Sequence, residues 1–170
     1  RYNTKLQKLA SVDALTGLWN RRSMWEYIRA VEYDYEIGNA GFVSIAIADI
    51  DFFKRINDTY GHECGDMVLK SISNIFKKNM EEKGLVSRWG GEEFLFVFYG
   101  RNGDAAYDVL QEIYDEIHRL TVSYENEEIR ITMTFGLEEY DKNDGMEMAI
   151  RRADEKLYQG KETGRDKIVY

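Results

Sequence analysis

Leu85-Val86-Ser87-Arg88-Trp89-Gly90-Gly91-Glu92-Glu93-Phe94-Leu95-Phe96-Val97-Phe98-Tyr99 is the stretch on which the fold turns. Two runs of β-branched and aromatic residues flank a glycine pair, which predicts strands over 85–89 and 93–99 joined as a hairpin. Phe94, Phe96 and Phe98 alternate along the second strand, so they belong to a core rather than to a base-stacking surface. Upstream, 42–48 is an unbroken apolar run of strand length that ends in the acidic pair Asp49 and Asp51.

Outward from these strands the helical period takes over. Asn20 is suited to cap a helix, and Met24, Tyr27, Ile28 and Val31 follow at helical spacing. Gly38 and Gly41 break the chain before the first strand. Beyond the acidic pair a loop through Gly61 and Gly65 leads to a helix whose apolar face is Val68, Leu69, Ile72, Ile75 and Phe76. Val109, Leu110, Ile113, Ile117 and Leu120 mark the next helix, 129–137 a strand, and Met146, Ala149, Ile150, Ala153 and Leu157 a last helix. Residues 168–170 suit an edge strand, and the acidic tract 125–128 a solvated turn. The fold class that follows is α/β, an α+β sandwich whose central, mostly antiparallel five-stranded sheet is flanked by helices. Residues 1–12 read equally as the end of an N-terminal connecting helix and as a frayed terminus, leaving 13–170 as one domain.

The bulk properties exclude several classes. A chain of 170 residues, 44% hydrophobic and 32% charged, has room for one domain with a proper core. No apolar run approaches the roughly 18 residues that span a bilayer, and no signal peptide is visible. The formal net charge of -8 speaks against a nucleic-acid binder, yet leaves a nucleotide substrate open, because a metal ion neutralises phosphates locally. Cys64 is the only cysteine; it makes no internal disulfide or zinc motif, reads as a small half-buried residue, and points to a reducing, cytoplasmic setting. The chain starts at Arg1 rather than methionine, so we read it as an excised or processed piece of a longer protein, with regulation and any membrane anchor expected in the missing sequence.

Chemistry concentrates on the acids. Asp49 ends a hydrophobic strand, and Glu92 and Glu93 sit at the glycine hairpin, so pairing of the two strands would bring Asp49 and Glu92 to one edge. Converging carboxylates repel unless a cation lies between them, and hard oxygen ligands with incomplete coordination suit magnesium. Taken alone, the same acids read equally well as a solvated strand end and turn.

The wider pattern decides between these readings. Asp13-Ala14-Leu15-Thr16-Gly17-Leu18-Trp19-Asn20-Arg21-Arg22 resembles the opening motif of the GGDEF family. The block from Asp49-Ile50-Asp51-Phe52-Phe53-Lys54 through Asn57-Asp58 and Gly61-His62 to Gly65-Asp66 is similar to its second motif, and Gly90-Gly91-Glu92-Glu93-Phe94 to its name motif. Arg152-Ala153-Asp154-Glu155-Lys156-Leu157-Tyr158, then Lys161, Gly164 and Arg165, complete the order.

The resemblance implies a fold like the nucleotidyl cyclase or polymerase palm and condensation of two GTP into cyclic di-GMP, with two magnesium or manganese ions per active site. Asp49, Glu92 and the Ile50 carbonyl match the metal-binding groups, and Glu93 a second acid required for activity. Asn57 and Asp66 match the groups that bond guanine, which favours GTP over ATP. Lys54, Lys161 and Arg165, with backbone amides around Phe52 and Phe53, match the triphosphate site. Arg88 and Asp13 suit a structural pair. His62 is expected to brace its loop, His118 to lie on the surface, and Asp51 and Asp58 to support or cap rather than ligate. Two domains facing each other as a two-fold homodimer would complete the reaction, with an N-terminal regulatory domain supplying the pairing. The alternatives are a catalytically silent module that binds GTP or cyclic di-GMP, and a related cyclase making another cyclic nucleotide. One departure stands out: the family's Arg-x-x-Asp product-inhibition motif is replaced by Glu81-Glu82-Lys83-Gly84, so no feedback inhibition is expected there.

Overall fold

The computed structural model describes residues 11–170. Its elements are α1 (Arg21–Glu36), β1 (Val43–Ile50), α2 (Phe53–Tyr60), α3 (His62–Met80), β2 (Gly84–Arg88), β3 (Glu93–Tyr99), α4 (Gly103–Arg119), β4 (Val122–Tyr124), β5 (Glu127–Ile129), β6 (Met133–Glu139), α5 (Gly145–Glu162) and β7 (Lys167–Val169). The expected connecting helix over 1–12 lies outside the described residues except at Ser11 and Val12, and Val12 is already bridged to Trp19.

Five strands form one sheet in the order β2-β3-β1-β6-β7. Every neighbouring pair is antiparallel except β6 and β7, which run parallel. Central β1 is buried along its whole length, as its unbroken apolar run requires of a strand covered on both faces. Ala46, Ala48 and Ile50 join Phe94, Phe96 and Phe98 in a core beneath α2, α3 and α4. Ile45 and Ile47 join Leu95 and Val97 in a second core beneath α1 and α5. The alternation of the two strands thus sorts side chains between two layers. Asn20 caps α1, its side chain accepting the Ser23 N–H at 2.9 Å.

Two segments differ from the sequence expectation. The predicted loop ahead of α3 is largely the helix α2; only Gly61, at φ +94°, breaks the chain, and Gly65 lies inside α3. Eight residues carrying two buried apolar side chains give too little periodicity to announce a helix. Ile129 belongs not to the long strand β6 but to a separate β4–β5 hairpin. Its turn residues, Glu125 and Asn126, both take positive φ, as a two-residue hairpin demands. Among the described residues no helix is long and apolar enough to cross a membrane.

Candidate active site

The site grows from the end of β1. Asp49 lies directly across from Glu93 in the β1–β3 register, and the Ile50 N–H donates to the Glu92 carbonyl at 3.3 Å. The pairing therefore brings together the three acids that the sequence singled out. Their side chains divide between the two faces. Glu92 lines a cleft of about 450 Å³ with Phe53, Lys54, Asn57, His62, Asp66 and Arg88. Glu93 instead lines a cleft of about 440 Å³ on the α1 and α5 side, with Arg21, Trp25, Trp89 and Asp154 among its neighbours.

The electrostatics are those of acids pressed together. Burial pushes all three carboxyls above the usual range. The charge of Asp49 raises Glu92 and Glu93 further, while Lys161 pulls each of the three partly back. Lys161, on the last turn of α5, donates to Asp49 Oδ2. A lysine expected at the triphosphate is thus held against a carboxylate expected at the metal. Among the described residues no three His, Cys, Asp or Glu side chains form a metal-binding group on their own. The two carboxylates and the carbonyl expected as ligands would leave coordination to be completed by water and phosphate, which suits magnesium.

Next to this corner the backbone changes hand. Phe52 sits at φ +56° ahead of α2 and leaves its ring half exposed. The Arg55 and Arg165 guanidinium carbons lie 4.5 and 4.7 Å from that ring's centre. Phe53 is buried beneath, in the core. One turn along α2, the buried Asn57 Oδ1 finds no hydrogen-bond partner among the described residues. It faces Gly65, where a Cβ would come within 1.9 Å of it. Absence of a side chain at Gly65 is what lets α2 and α3 approach with Asn57 between them. An orphaned buried polar atom in a cleft also lined by Asp66 and Lys54 fits a ligand with complementary donors.

Arg88 and Asp13 make the expected tie. Arg88 Nη1 donates to both Asp13 oxygens at 3.2 Å, and Nε and Nη2 donate to the Gly91 carbonyl. Burial would raise the Asp13 carboxyl, but hydrogen bonds from Thr16 and the Arg88 charge outweigh it and hold the group low. Cys64 is fully buried, and burial raises its thiol.

Asp51 is a supporting group, in keeping with the sequence expectation, though its partners were not foreseen. Its buried carboxylate accepts the hydroxyls of Thr132 at 2.6 Å and Thr134 at 2.7 Å, and the Asp166 N–H at 3.0 Å. Sequence reasoning missed Asp154 beside Glu93 and Arg55 on Phe52. His62 is exposed at the start of α3 and lines the Glu92 cleft, whereas His118 lies on α4 against Asp166.

The family model for "Diguanylate cyclase, GGDEF domain" matches residues 10–167. The chain belongs to the GGDEF family. It is 31% identical to diguanylate cyclase A of Treponema denticola, over 98% of this chain and 46% of the relative. It is 34% identical to diguanylate cyclase DgcP of Pseudomonas aeruginosa, over 94% of this chain and 24% of that protein. The chain therefore spans less than half the length of either curated relative. Among solved structures, diguanylate cyclase SiaD of Pseudomonas aeruginosa, in complex with its activator SiaC, superposes with a TM-score of 0.91 at 34% identity. That match covers 99% of this chain and 64% of SiaD. The GGDEF domain of DgcB from Caulobacter crescentus, in complex with c-di-GMP, gives a TM-score of 0.90 at 29% identity, covering 94% of this chain and 95% of that one. In this GGDEF domain the name motif is Gly90-Gly91-Glu92-Glu93-Phe94, and Gly90 passes close to the carboxylate of Glu93, 3.0 Å from where a Cβ would stand.

Proposed function

We propose that this domain is a diguanylate cyclase that condenses two GTP into cyclic di-GMP and two pyrophosphates, with one GTP held by each subunit of a two-fold pair. The observation that carries the reading is the cleft in which Glu92, Lys54, Asn57 and Asp66 converge around a buried acceptor without a partner.

Each residue then has a role set by its chemistry. The Asp66 carboxylate accepts from the two adjacent N–H donors that guanine offers and adenine does not, and Asn57 completes the base contact. Lys54, Lys161 and Arg165, with the amides around Phe52 and Phe53, hold the triphosphate. Asp49, Glu92 and the Ile50 carbonyl would hold magnesium or manganese, which supplies Lewis-acid activation of the attacking hydroxyl and charge neutralisation on the departing pyrophosphate. Glu93 adds the second acid at the hairpin, poised across from Asp49. The 3′ oxygen of one GTP forms a bond to the α-phosphorus of the other. The bond from that phosphorus to the β-phosphate oxygen breaks, the hydroxyl proton passes to solvent or base, and pyrophosphate leaves; the second half repeats this in reverse roles. The reaction joins two GTP, so with one GTP per domain two domains have to face each other. A GTP-consuming domain of this kind works in the cytoplasm.

The test is incubation of an artificially dimerised domain with GTP and magnesium, followed by chromatography. Cyclic di-GMP forms from the wild type and not from Glu92→Ala. A dimer that binds GTP without product overturns the reading in favour of a silent nucleotide-binding module.

A further inference from the structure

We infer that Asp166 is a positioning residue, gripped from three sides so that the turn beside it presents the Arg165 guanidinium to the phosphate end of the site. The inference rests on the reading of Arg165 as a triphosphate cation. After α5 the chain passes through Gly164 at φ +114°, Arg165 at +61° and Asp166 at +48°. Glycine accepts this region freely, but two successive side-chain-bearing residues do not, and such a conformation persists only where its surroundings over-determine it.

The surroundings do so with polar contacts. The Asp166 N–H donates to Asp51 Oδ2 at 3.0 Å and lies 3.1 Å from Thr134 Oγ1. Its carbonyl accepts the Tyr114 hydroxyl at 3.2 Å. Its carboxylate oxygen lies 2.6 Å from His118 Nε2. The Tyr114 and His118 rings pack together at 4.4 Å. Burial, then the contact with Asp166, pushes the Tyr114 hydroxyl up to about 12, so it stays a donor throughout the working range. β6, α4 and the residue just after β1 thus converge on one residue of the short turn between α5 and β7. The neighbouring Arg165 is fixed in its own right, its N–H donating to the Gly160 carbonyl at 2.9 Å and its guanidinium lying over the Phe52 ring. Directional hydrogen bonds set the path of a backbone in a way that apolar packing does not. What they set here is the direction in which Arg165 leaves the chain. Tyr114 and His118 line neither of the clefts beside the acids, and what ties both of them to the turn that carries Arg165 is their contact with Asp166.

The test compares an α,β-methylene analogue of GTP with GMP as titrants, on wild type and on Tyr114→Phe, His118→Ala, Asp166→Asn and Asp166→Ala. Loss of one hydrogen bond is expected to weaken the analogue by about fivefold in Tyr114→Phe and His118→Ala, and by more in Asp166→Ala, with GMP unchanged. Asp166→Asn tolerates the left-handed backbone and keeps an acceptor for His118, so it holds to within about twofold of wild type. In turnover the same variants raise KM for GTP and leave kcat in place. Equal losses for GMP and the analogue, or a fall in kcat at constant KM, would reduce Asp166 to a purely structural role and overturn the inference. If Asp166→Ala fails to fold, Tyr114→Phe and His118→Ala decide the matter. An Arg165→Ala control separates the two levels: if it binds the analogue like wild type, the phosphate reading of Arg165 itself is wrong. If it loses the analogue while the Asp166, Tyr114 and His118 variants do not, only the positioning role falls.

Discussion

The three acids at the hairpin are held at a cost to the fold. Each keeps its proton more tightly in the folded state than in the unfolded one, because burial and mutual repulsion oppose the charge. A raised folded value contributes stability that is fully present below the ordinary carboxylate range and is lost as pH rises through the raised value. At neutral pH the ionised acids therefore weaken the domain. Glu92→Gln should melt higher than wild type at neutral pH by about 2 °C, a small figure because solvent reaches the group. The gain should vanish on acidification below the ordinary glutamate range, as read by calorimetry at a series of pH values. A variant that melts at or below wild type at neutral pH would contradict this account. The same substitution removes the proposed metal ligand, so the more stable protein is the inactive one.

At the scale of elements, two glycines set how closely helices may lie. Gly65 gives Asn57 its room, and Gly65→Ala would place a Cβ 1.9 Å from Asn57 Oδ1. We expect GTP affinity to fall more than tenfold by calorimetric titration, with a much smaller change in melting. Gly136 on β6 faces α5, where a Cβ would meet the Ala153 carbonyl at 2.1 Å and the Leu157 nitrogen at 2.5 Å. Here no flexible side chain can give way, so Gly136→Ala should cost about 2 kcal/mol and lower Tm by roughly 5 °C without a selective loss of nucleotide. These elements also show what a sequence makes legible. β1, the hairpin and the apolar faces of α1, α3, α4 and α5 follow from periodicity, because those side chains enter one of two cores. The short α2 escaped because Phe53 and Ile56 alone are its buried residues. The acids of the site were legible as residues, since strand pairing brings Asp49 and Glu93 opposite each other. Asp51 was legible as a supporting group but its partners were not, because Thr132 and Thr134 lie at the start of β6, some eighty positions away, and nothing local announces the meeting. The parting of Glu92 and Glu93 to opposite faces of the sheet follows the same alternation that sorts the strand side chains between the two cores.

At the scale of the whole molecule, the proposed binding of one GTP per domain would make turnover a property of pairs. The rate per domain should rise with domain concentration and level off once pairs are saturated; a rate per domain independent of concentration down to the nanomolar range would remove the pairing requirement for weakly associating domains. Product should not restrain that rate through the β2 approach. There Glu81 and Glu82 are exposed acids, and added cyclic di-GMP is expected to leave initial velocity unchanged. A velocity that falls with cyclic di-GMP, in a manner abolished by altering 81–84, would overturn this. The tie between the start of the domain and its hairpin carries a last consequence, a mechanical one. Val12 is bridged to Trp19, Trp19 to Ser87, and the Arg88 N–H bonds to the Trp19 carbonyl while its side chain spans from Asp13 to Gly91. A torque applied at Val12 would thus have a short hydrogen-bonded path to the glycine turn along the sheet's edge.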